Sequence, residues 1–169
     1  SNILAGMACG NQVPDGICDQ ADVCDGNGSC VPNYQPGSFE CRGSAGICDV
    51  AEVCSGSSPD CPLDGFQPGT LECRASAGDC DVAEFCTGSA ADCPADAVQP
   101  TTLECRASAD VCDVAEFCDG LTVNCPADGF QPNSLECRIS AGVCDPAEFC
   151  TGAGAACPPD ALAPNTTAC

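Results

Sequence analysis

Four cysteines recur as a set along this chain, and their spacing is the strongest constraint on its fold. The best-preserved copy reads CRASAGDCDVAEFCTGSAADCPAD from Cys73 to Asp96. Equivalent stretches begin at Cys41, Cys105 and Cys137, with steps of 7, 6, 7 and then 12 residues to the next copy. A chain with a fixed 32-residue period folds as an array of equivalent units rather than around one core.

The spacing divides the chain into an arm, five repeats and the start of another. We place the boundaries at 1–8 (arm), 9–40 (divergent first repeat), 41–72, 73–104, 105–136 and 137–168, with Cys169 beginning an incomplete unit. The first repeat has its cysteines at 9, 18, 24 and 30, and divergent terminal repeats commonly act as caps. We expect the arm to lie on the first repeat; docking on a neighbouring molecule is the alternative.

Covalent crosslinks replace a conventional core in this composition. The chain has 21 cysteines in 169 residues and a net charge of -21, while large aliphatic side chains are few. Thiolate metal sites need tight Cys-x-x-Cys pairs, often with histidine, and the sequence has neither. We therefore predict disulfides and an oxidising compartment, with the protein secreted or on the cell surface.

Charge and residue types also exclude several functions. With four arginines, no lysine and a strongly negative charge, the chain would be repelled by nucleic acid and by anionic membrane surfaces. No apolar run is long enough for a membrane span. There is no histidine and no nucleophile with a base beside it, so we predict that the protein is not an enzyme.

Regular secondary structure is expected to be sparse. Glycine and proline in each connector, such as Asp64 to Cys73, favour turns and extended chain. The segment from Asp81 to Phe85 predicts one helical turn with Asp81 as N-cap. Val82 and Phe85, like Val114 and Phe117, are expected to form a small apolar cluster. The predicted fold class is small and disulfide-rich: an elongated tandem-repeat rod with little regular secondary structure.

Three acidic positions in each repeat suggest a calcium site. An Asp follows the second cysteine, a Glu comes three residues later, and an Asp lies three residues after the fourth cysteine. Oxygen donors held together by bridges suit calcium, which takes six to eight oxygens in irregular geometry. Solvated acids that only cap turns are the alternative. The sets are Asp49, Glu52 and Asp64; Asp81, Glu84 and Asp96; Asp113, Glu116 and Asp128; Asp145, Glu148 and Asp160; and, more weakly, Asp19, Asp22 and Asn33.

The complete pattern resembles the C-terminal, arm half of the disintegrin domain of ADAM and snake-venom metalloproteases. The residues that carry the resemblance are Cys-Arg-x(5)-Cys-Asp-x-x-Glu-x-Cys-x-Gly-x(4)-Cys-Pro-x-Asp, as in Cys73 to Asp96. The N-terminal half of that domain and the protease are missing. The resemblance implies calcium binding at the four complete acidic sets.

The resemblance also implies a disulfide pairing. First and fourth cysteines would pair as Cys41–Cys61, Cys73–Cys93, Cys105–Cys125 and Cys137–Cys157. Second and third cysteines would staple neighbouring repeats as Cys48–Cys86, Cys80–Cys118 and Cys112–Cys150. Pairing wholly within each repeat is the competing scheme. Under the stapled scheme Cys24, Cys144 and Cys169 lack partners and are candidates for bonds to another molecule.

Two functions are compatible with the sequence. In the first, the protein is an extracellular structural element, a filament subunit or surface stalk, that self-associates head to tail. In the second, it is an adhesive module that recognises a cell-surface receptor through its loops. The loop that the resemblance relates to integrin contact, Arg74 to Cys80, contains no Arg-Gly-Asp. Turn geometry is therefore the preferred interpretation of that loop.

Glycans are predicted at two acceptor sequences in a secreted chain. Asn27-Gly-Ser29 and Asn165-Thr-Thr167 fit the N-glycosylation pattern. Exposed hydroxyls such as Thr70, Thr87 and Thr151 are candidates for O-linked sugar.

Overall fold

Short strands are the only regular secondary structure in the part of the chain that the structure describes, residues 4–164 of a computed structural model. These residues form no helix, and therefore none that could cross a membrane. The strands are β1 (Asp19–Cys24), β2 (Cys30–Tyr34), β3 (Glu40–Arg42), β4 (Asp49–Val50), β5 (Glu52–Val53), β6 (Gly65–Phe66), β7 (Glu72–Arg74), β8 (Glu84–Phe85), β9 (Glu104–Arg106), β10 (Glu116–Phe117), β11 (Glu136–Arg138) and β12 (Glu148–Phe149).

All the strands pair as two-stranded antiparallel sheets. The pairs are β1–β2, β3–β5, β4–β6, β7–β8, β9–β10 and β11–β12. In the second repeat the register places Arg42 opposite Glu52. The same register recurs in the later repeats, so the arginine after each first cysteine faces the glutamate of the acidic set. Side chains opposite each other on antiparallel strands lie close enough to interact directly.

The predicted helical turn after the second cysteine is wrong. Asp49 and Val50 form β4 and pair with Phe66 and Gly65 of the connector. Asp81 and Asp113 make single antiparallel bridges to Val98 and Phe130 at the equivalent positions. The backbone groups of this segment thus bond to the connector instead of closing a turn among themselves. A six-residue span between two cysteines is short enough for tertiary contacts to override local preference.

The interior of the described residues contains cysteines and carboxylates. The buried apolar residues are all cysteines: Cys18, Cys24, Cys48, Cys54, Cys80, Cys86, Cys112, Cys118 and Cys150. The predicted apolar cluster is not formed, because Phe85, Val114 and Phe117 are 44%, 38% and 46% exposed. Neighbouring residues of an extended strand point to opposite sides, so the residue before a buried cysteine faces solvent.

Every repeat is closed by a disulfide between its first and fourth cysteines. The predicted pairs Cys41–Cys61, Cys73–Cys93, Cys105–Cys125 and Cys137–Cys157 are confirmed. The divergent first repeat follows the same rule through Cys9–Cys30. Each later bridge closes a span of 20 residues.

A second class of disulfide joins each repeat to the next. Cys48–Cys86, Cys80–Cys118 and Cys112–Cys150 are confirmed, and Cys18–Cys54 extends the series to the first repeat. Pairing wholly within each repeat is therefore wrong. A backbone hydrogen bond accompanies each staple: the N–H of Cys48, for example, donates to the carbonyl of Ala91 at 2.9 Å.

The three cysteines predicted to lack partners differ in the structure. Cys24 is a free, buried thiol. Cys144 is disulfide-bonded, so the prediction that it lacks a partner is wrong. The stapled pattern did not predict this bond, because the series of bridges between second and third cysteines ends at Cys112–Cys150 and contains no pair for Cys144. Cys169 lies outside the described residues.

The arm and the first repeat are in contact through backbone hydrogen bonds. The N–H of Gly6 donates to the carbonyl of Cys24 at 2.8 Å, and the N–H of Cys24 donates to the carbonyl of Met7 at 2.9 Å. Ala8 makes an antiparallel bridge with Val23 of β1. Gly6, Met7 and Ala8 of the arm therefore lie along β1.

The chain divides into two compact units. The first contains the chain up to Arg74 together with Glu84–Ala95, and the second contains Ala75–Ala83 and the chain from Asp96 onward. The third repeat contributes to both. The complete acidic sets of the second repeat and of the fourth and fifth repeats each lie within one unit.

Candidate metal centre

In the second, fourth and fifth repeats, only one carboxylate oxygen of the aspartate after the second cysteine has a hydrogen-bond partner. Asp49 Oδ2 accepts a hydrogen bond from the N–H of Ala45 at 2.6 Å, and Asp113 Oδ2 accepts one from Ala109 at 2.7 Å. This bond closes the loop between the first and second cysteines. The other oxygen, Oδ1, is buried without a hydrogen-bond partner in Asp49, Asp113 and Asp145.

The glutamate three residues later has both oxygens directed to protein groups. Glu52 Oε1 accepts a hydrogen bond from the N–H of Gly65 at 2.8 Å. Its Oε2 lies 3.1 Å from Arg42 Nη1. Glu116 repeats this arrangement with Gly129 and Arg106 at 2.7 Å and 3.2 Å. Both glutamates are only 7% exposed, so the connector and the arginine hold them in place.

The third carboxylate lies at the surface and reaches the set through the same arginine. Asp64 Oδ1 lies 2.8 Å from Arg42 Nη1, and Asp128 Oδ1 lies 3.1 Å from Arg106 Nη1. One guanidinium nitrogen thus links the Glu and the second Asp in the second and fourth repeats. The structure therefore brings together residues that are 12 positions apart in sequence.

In the third repeat the acidic residues belong to different compact units: Asp81 and Asp96 to the second and Glu84 to the first. Asp81 is 5% exposed, and both of its carboxylate oxygens accept hydrogen bonds: Oδ2 from the N–H of Ala77 at 2.6 Å and Oδ1 from the N–H of Val82 at 2.9 Å. Glu84 Oε2 lies 3.1 Å from Arg74 Nη1 and is also buried. Asp96 is exposed.

The donor set in these repeats fits a calcium ion. A buried polar oxygen without a partner is uncommon in folded proteins and needs an explanation. Asp49 Oδ1 and Asp113 Oδ1 are buried carboxylate oxygens, the ligand type that calcium prefers. If these acids only capped turns in solvent, the free oxygen would face water. Asp49, Glu52 and Asp64 would hold the ion in the second repeat, and Asp113, Glu116 and Asp128 would hold it in the fourth.

The fifth repeat is a looser version of the site. Pro146 replaces the residue whose N–H bonds to the connector in Val82 and Val114, so that bond is lost. Arg138 Nη1 lies 3.2 Å from Glu148 Oε2 but 3.8 Å from Asp160 Oδ1. The negative charge of Asp145 raises the pKa of the exposed Asp160; local desolvation, a hydrogen bond to Asp145 and the charge of Glu148 add to the effect, and the charge of Arg138 opposes it.

We expect Asp145→Asn to lower the pKa of Asp160 toward its ordinary value, because the substitution removes the largest cause of the shift. In the folded metal-free chain Asp160 holds its proton more tightly than in the unfolded chain. Its contribution to stability is therefore present at low pH and is lost as the pH rises through the raised pKa. Carboxyl carbon chemical shifts, followed by pH titration with chelator present, measure the change.

Asp119 is the internal control for that titration. Hydrogen bonds from the backbone N–H of Thr122 and of Leu121 lower the pKa of Asp119. Asp145 is not among the groups that set this value, so the Asp119 titration should stay unchanged. A pKa of Asp160 that is the same with and without Asp145 would contradict the proximity of the two carboxylates.

The weaker set in the first repeat is arranged differently. Asp19 and Asp22 line a cavity of about 210 Å³. Asn33 is not among its lining residues, and its side chain donates a hydrogen bond to Gln20 Oε1 at 3.0 Å. Sequence reasoning missed two polar residues of this cavity, Asn11 and Asp15, because they precede the second cysteine. The cavity is lined by Asn11, Asp15, Asp19, Asp22, Pro32, Tyr34 and Pro59.

Clusters of three sulfur atoms also occur, but they are not thiolate sites. In one example the sulfur atoms of Cys18, Cys41 and Cys54 lie within 4.8 Å of one another. Cys18 is bonded to Cys54, and Cys41 is bonded to Cys61, so none of the three has a thiolate to offer. The first repeat is different, because the free Cys24 lies beside the Cys9–Cys30 bridge.

Sequence reasoning also missed the arginine as a member of the site. Arg42, Arg74, Arg106 and Arg138 each follow a first cysteine, and they are the only basic residues of the chain. That recurrence was a usable signal, because a chain with so few cations retains one at the same place in four repeats. The partner glutamate lies 10 residues away and becomes visible only with the strand register.

Comparison with known proteins adds no family assignment. No protein-family model matches the chain, and no curated protein or solved structure matches it. The resemblance to the disintegrin arm therefore stays a prediction from the motif.

Proposed function

We propose that the protein is a non-enzymatic, extracellular structural protein: a calcium-stabilised repeat rod that serves as a filament subunit or surface stalk. The observation that carries this proposal is the series of staples from Cys18–Cys54 to Cys112–Cys150. They link successive repeats covalently, which suits a structure that must resist unfolding outside the cell. The buried, unpartnered oxygens of Asp49 and Asp113 support calcium as the second stabilising element.

Head-to-tail association is part of the proposal, and Cys24 supports it. In the later repeats the third cysteine bonds to the second cysteine of the preceding repeat. Cys24 occupies that third position and is free. Because Cys24 is buried under the arm, the arm must first part from β1. The Cys24 thiolate then attacks a disulfide of a second copy, forms the mixed disulfide and releases one thiol of that copy. No external oxidant is needed.

Glycosylation accompanies this role at Asn27. This residue is exposed in the turn between β1 and β2, and its N–H donates to Asp25 Oδ1 at 2.7 Å. An exposed turn gives a glycan room without disturbing the disulfides. Asn165 lies outside the described residues.

The alternative function, adhesion through the loops, is favoured by one observation. The loop between the first and second cysteines of the fifth repeat exposes Ile139 by 77% and Val143 by 82%. In the third repeat, by contrast, Ser76 Oγ donates to the carbonyl of Gly78 at 2.9 Å, which is ordinary turn geometry. We therefore rank adhesion second.

Electron microscopy of negatively stained protein separates the two functions. We expect filaments in calcium, shorter or fewer filaments with chelator, and dispersal with chelator and reductant together. Cys24→Ser should remove covalent multimers from a non-reducing gel, while Ser57→Ala, an exposed substitution elsewhere, should leave them. Discrete particles under every condition would contradict the filament and favour adhesion.

A further inference from the structure

Each complete acidic set within one compact unit contains a fixed cation of its own. In the fourth repeat Arg106 Nη1 lies 3.2 Å from Glu116 Oε2 and 3.1 Å from Asp128 Oδ1. In the second repeat Arg42 makes the same two contacts at 3.1 Å and 2.8 Å. The arginine is therefore a recurring part of the candidate metal centre.

A neutral group holds the guanidinium in place. Arg106 Nη2 donates to the carbonyl of Pro126 at 3.1 Å, and Arg42 Nη2 donates to that of Pro62 at 3.1 Å. Arg138 makes the corresponding bond to Pro158 at 3.0 Å. Because this bond does not involve the acids, it would hold the arginine in place when an ion binds them.

The charges of the set balance a divalent ion. Three ionised carboxylates and one arginine leave two net negative charges. Within this set Asp113 Oδ1 is buried and has no hydrogen-bond partner, so a carboxylate oxygen is free to meet an ion although the arginine is already there. A centre with three acids and no arginine would have one more negative charge and would favour a trivalent ion.

We propose that the arginine is a permanent member of the metal centre and sets its preference for a divalent over a trivalent cation. This inference rests on the proposed calcium site. An arginine that the ion displaces would act differently. It would lower the affinity for every cation by the same factor, because it would leave the centre before either ion entered.

The test compares calcium with terbium(III), a trivalent ion of similar size that also prefers oxygen ligands. The parent is the full chain with Asp49→Asn, Asp81→Asn and Asp145→Asn, which leaves only the fourth repeat with a complete set. Into it we introduce Arg106→Gln or, with the charge kept, Arg106→Lys. Calorimetry and terbium luminescence give the two affinities, and a non-reducing peptide map shows that the disulfides are native.

We expect Arg106→Gln to raise the ratio of the terbium affinity to the calcium affinity by about tenfold. The arginine repels the third positive charge of terbium, and this repulsion is lost in the variant. Arg106→Lys should keep the parental ratio to within about twofold. Ser134→Asp, which adds a negative charge at an exposed site elsewhere, should also keep it. The same experiment at Arg42, with Asp113 substituted in place of Asp49, repeats the test if one variant fails to fold.

Three outcomes would overturn the inference. If Arg106→Gln changed both affinities equally, the arginine would be either a competitor that the ion displaces or part of a surface ion pair outside the centre. Loss of both affinities in Arg106→Gln and in Arg106→Lys would show that the arginine only positions the acids. If the parent binds neither ion, the calcium site itself is wrong, and that failure is distinct from an unchanged ratio in a parent that binds.

Discussion

Replacing Cys80 and Cys118 together by alanine should lower the free energy of unfolding by about 4 kcal/mol, the chain-entropy value for a loop of this length. The bridge spans 38 residues, and its two cysteines are 0% and 2% exposed. Its removal frees the unfolded chain and also leaves a gap in an interior made of cysteines. We expect faster amide hydrogen exchange in both the third and fourth repeats, since the staple joins them.

The matched control is the pair Cys105→Ala and Cys125→Ala. This bridge spans 20 residues and closes a single repeat, and its cysteines are half-buried. Its removal should lower the free energy of unfolding by roughly 3 kcal/mol, with faster exchange confined to the fourth repeat. If faster amide hydrogen exchange covered the same repeats in both variants, the staples would not couple the repeats.

Asp113→Asn should have opposite effects with and without calcium. In chelator the variant should be at least as stable as the parent, because it removes a buried charge with an unpartnered oxygen. In calcium at about 100 times the dissociation constant, each occupied site stabilises the folded chain by about 2.7 kcal/mol. The variant loses this gain at the proposed site of the fourth repeat, and calorimetry should show one calcium fewer per chain.

Asp119→Asn is the control for this experiment. It removes the same charge from the same repeat, but Asp119 is exposed and caps a turn through the N–H groups of Leu121 and Thr122. Asparagine can accept the same hydrogen bonds, so calcium stoichiometry should not change. If both substitutions lower the stoichiometry alike, calcium is held by the overall negative charge rather than by a site.

The acidic positions could be predicted because they lie in the motif itself, whereas the disulfide pairing could be predicted only through the resemblance, since spacing alone left pairing within each repeat open. The equal spacing in four repeats made one pairing rule apply to all of them. The local structure between Cys80 and Cys86 could not be predicted, because Asp81 and Glu84 at i and i+3 suit a helical turn as well as two short strands. The connector decides between them, and its contact with Asp81 through Val98 is not visible in local sequence.

The outward position of Phe85 and the role of Arg42 were missed for related reasons. A phenylalanine in a chain with few apolar residues is expected in the core, but here the neighbouring Cys86 occupies the interior. Arg42 meets Asp64 across 22 residues of sequence, at a distance fixed only when the fourth cysteine is bonded to the first. Both features depend on the disulfides rather than on the residues nearby.

The overlap of the staples determines how the chain would carry a pulling force. Cys48 comes before Cys54, Cys80 before Cys86, and Cys112 before Cys118, so successive disulfide loops share a six-residue step. The shortest covalent path from Cys18 to Cys150 crosses four bridges and three such steps. Stretched out, this path measures about 80 Å, against roughly 450 Å for the whole backbone between the same residues. A pulling force along the chain would therefore not extend the backbone that lies within the disulfide loops. If one peptide bond between Cys18 and Cys150 were broken, the bridges would still hold the two pieces together.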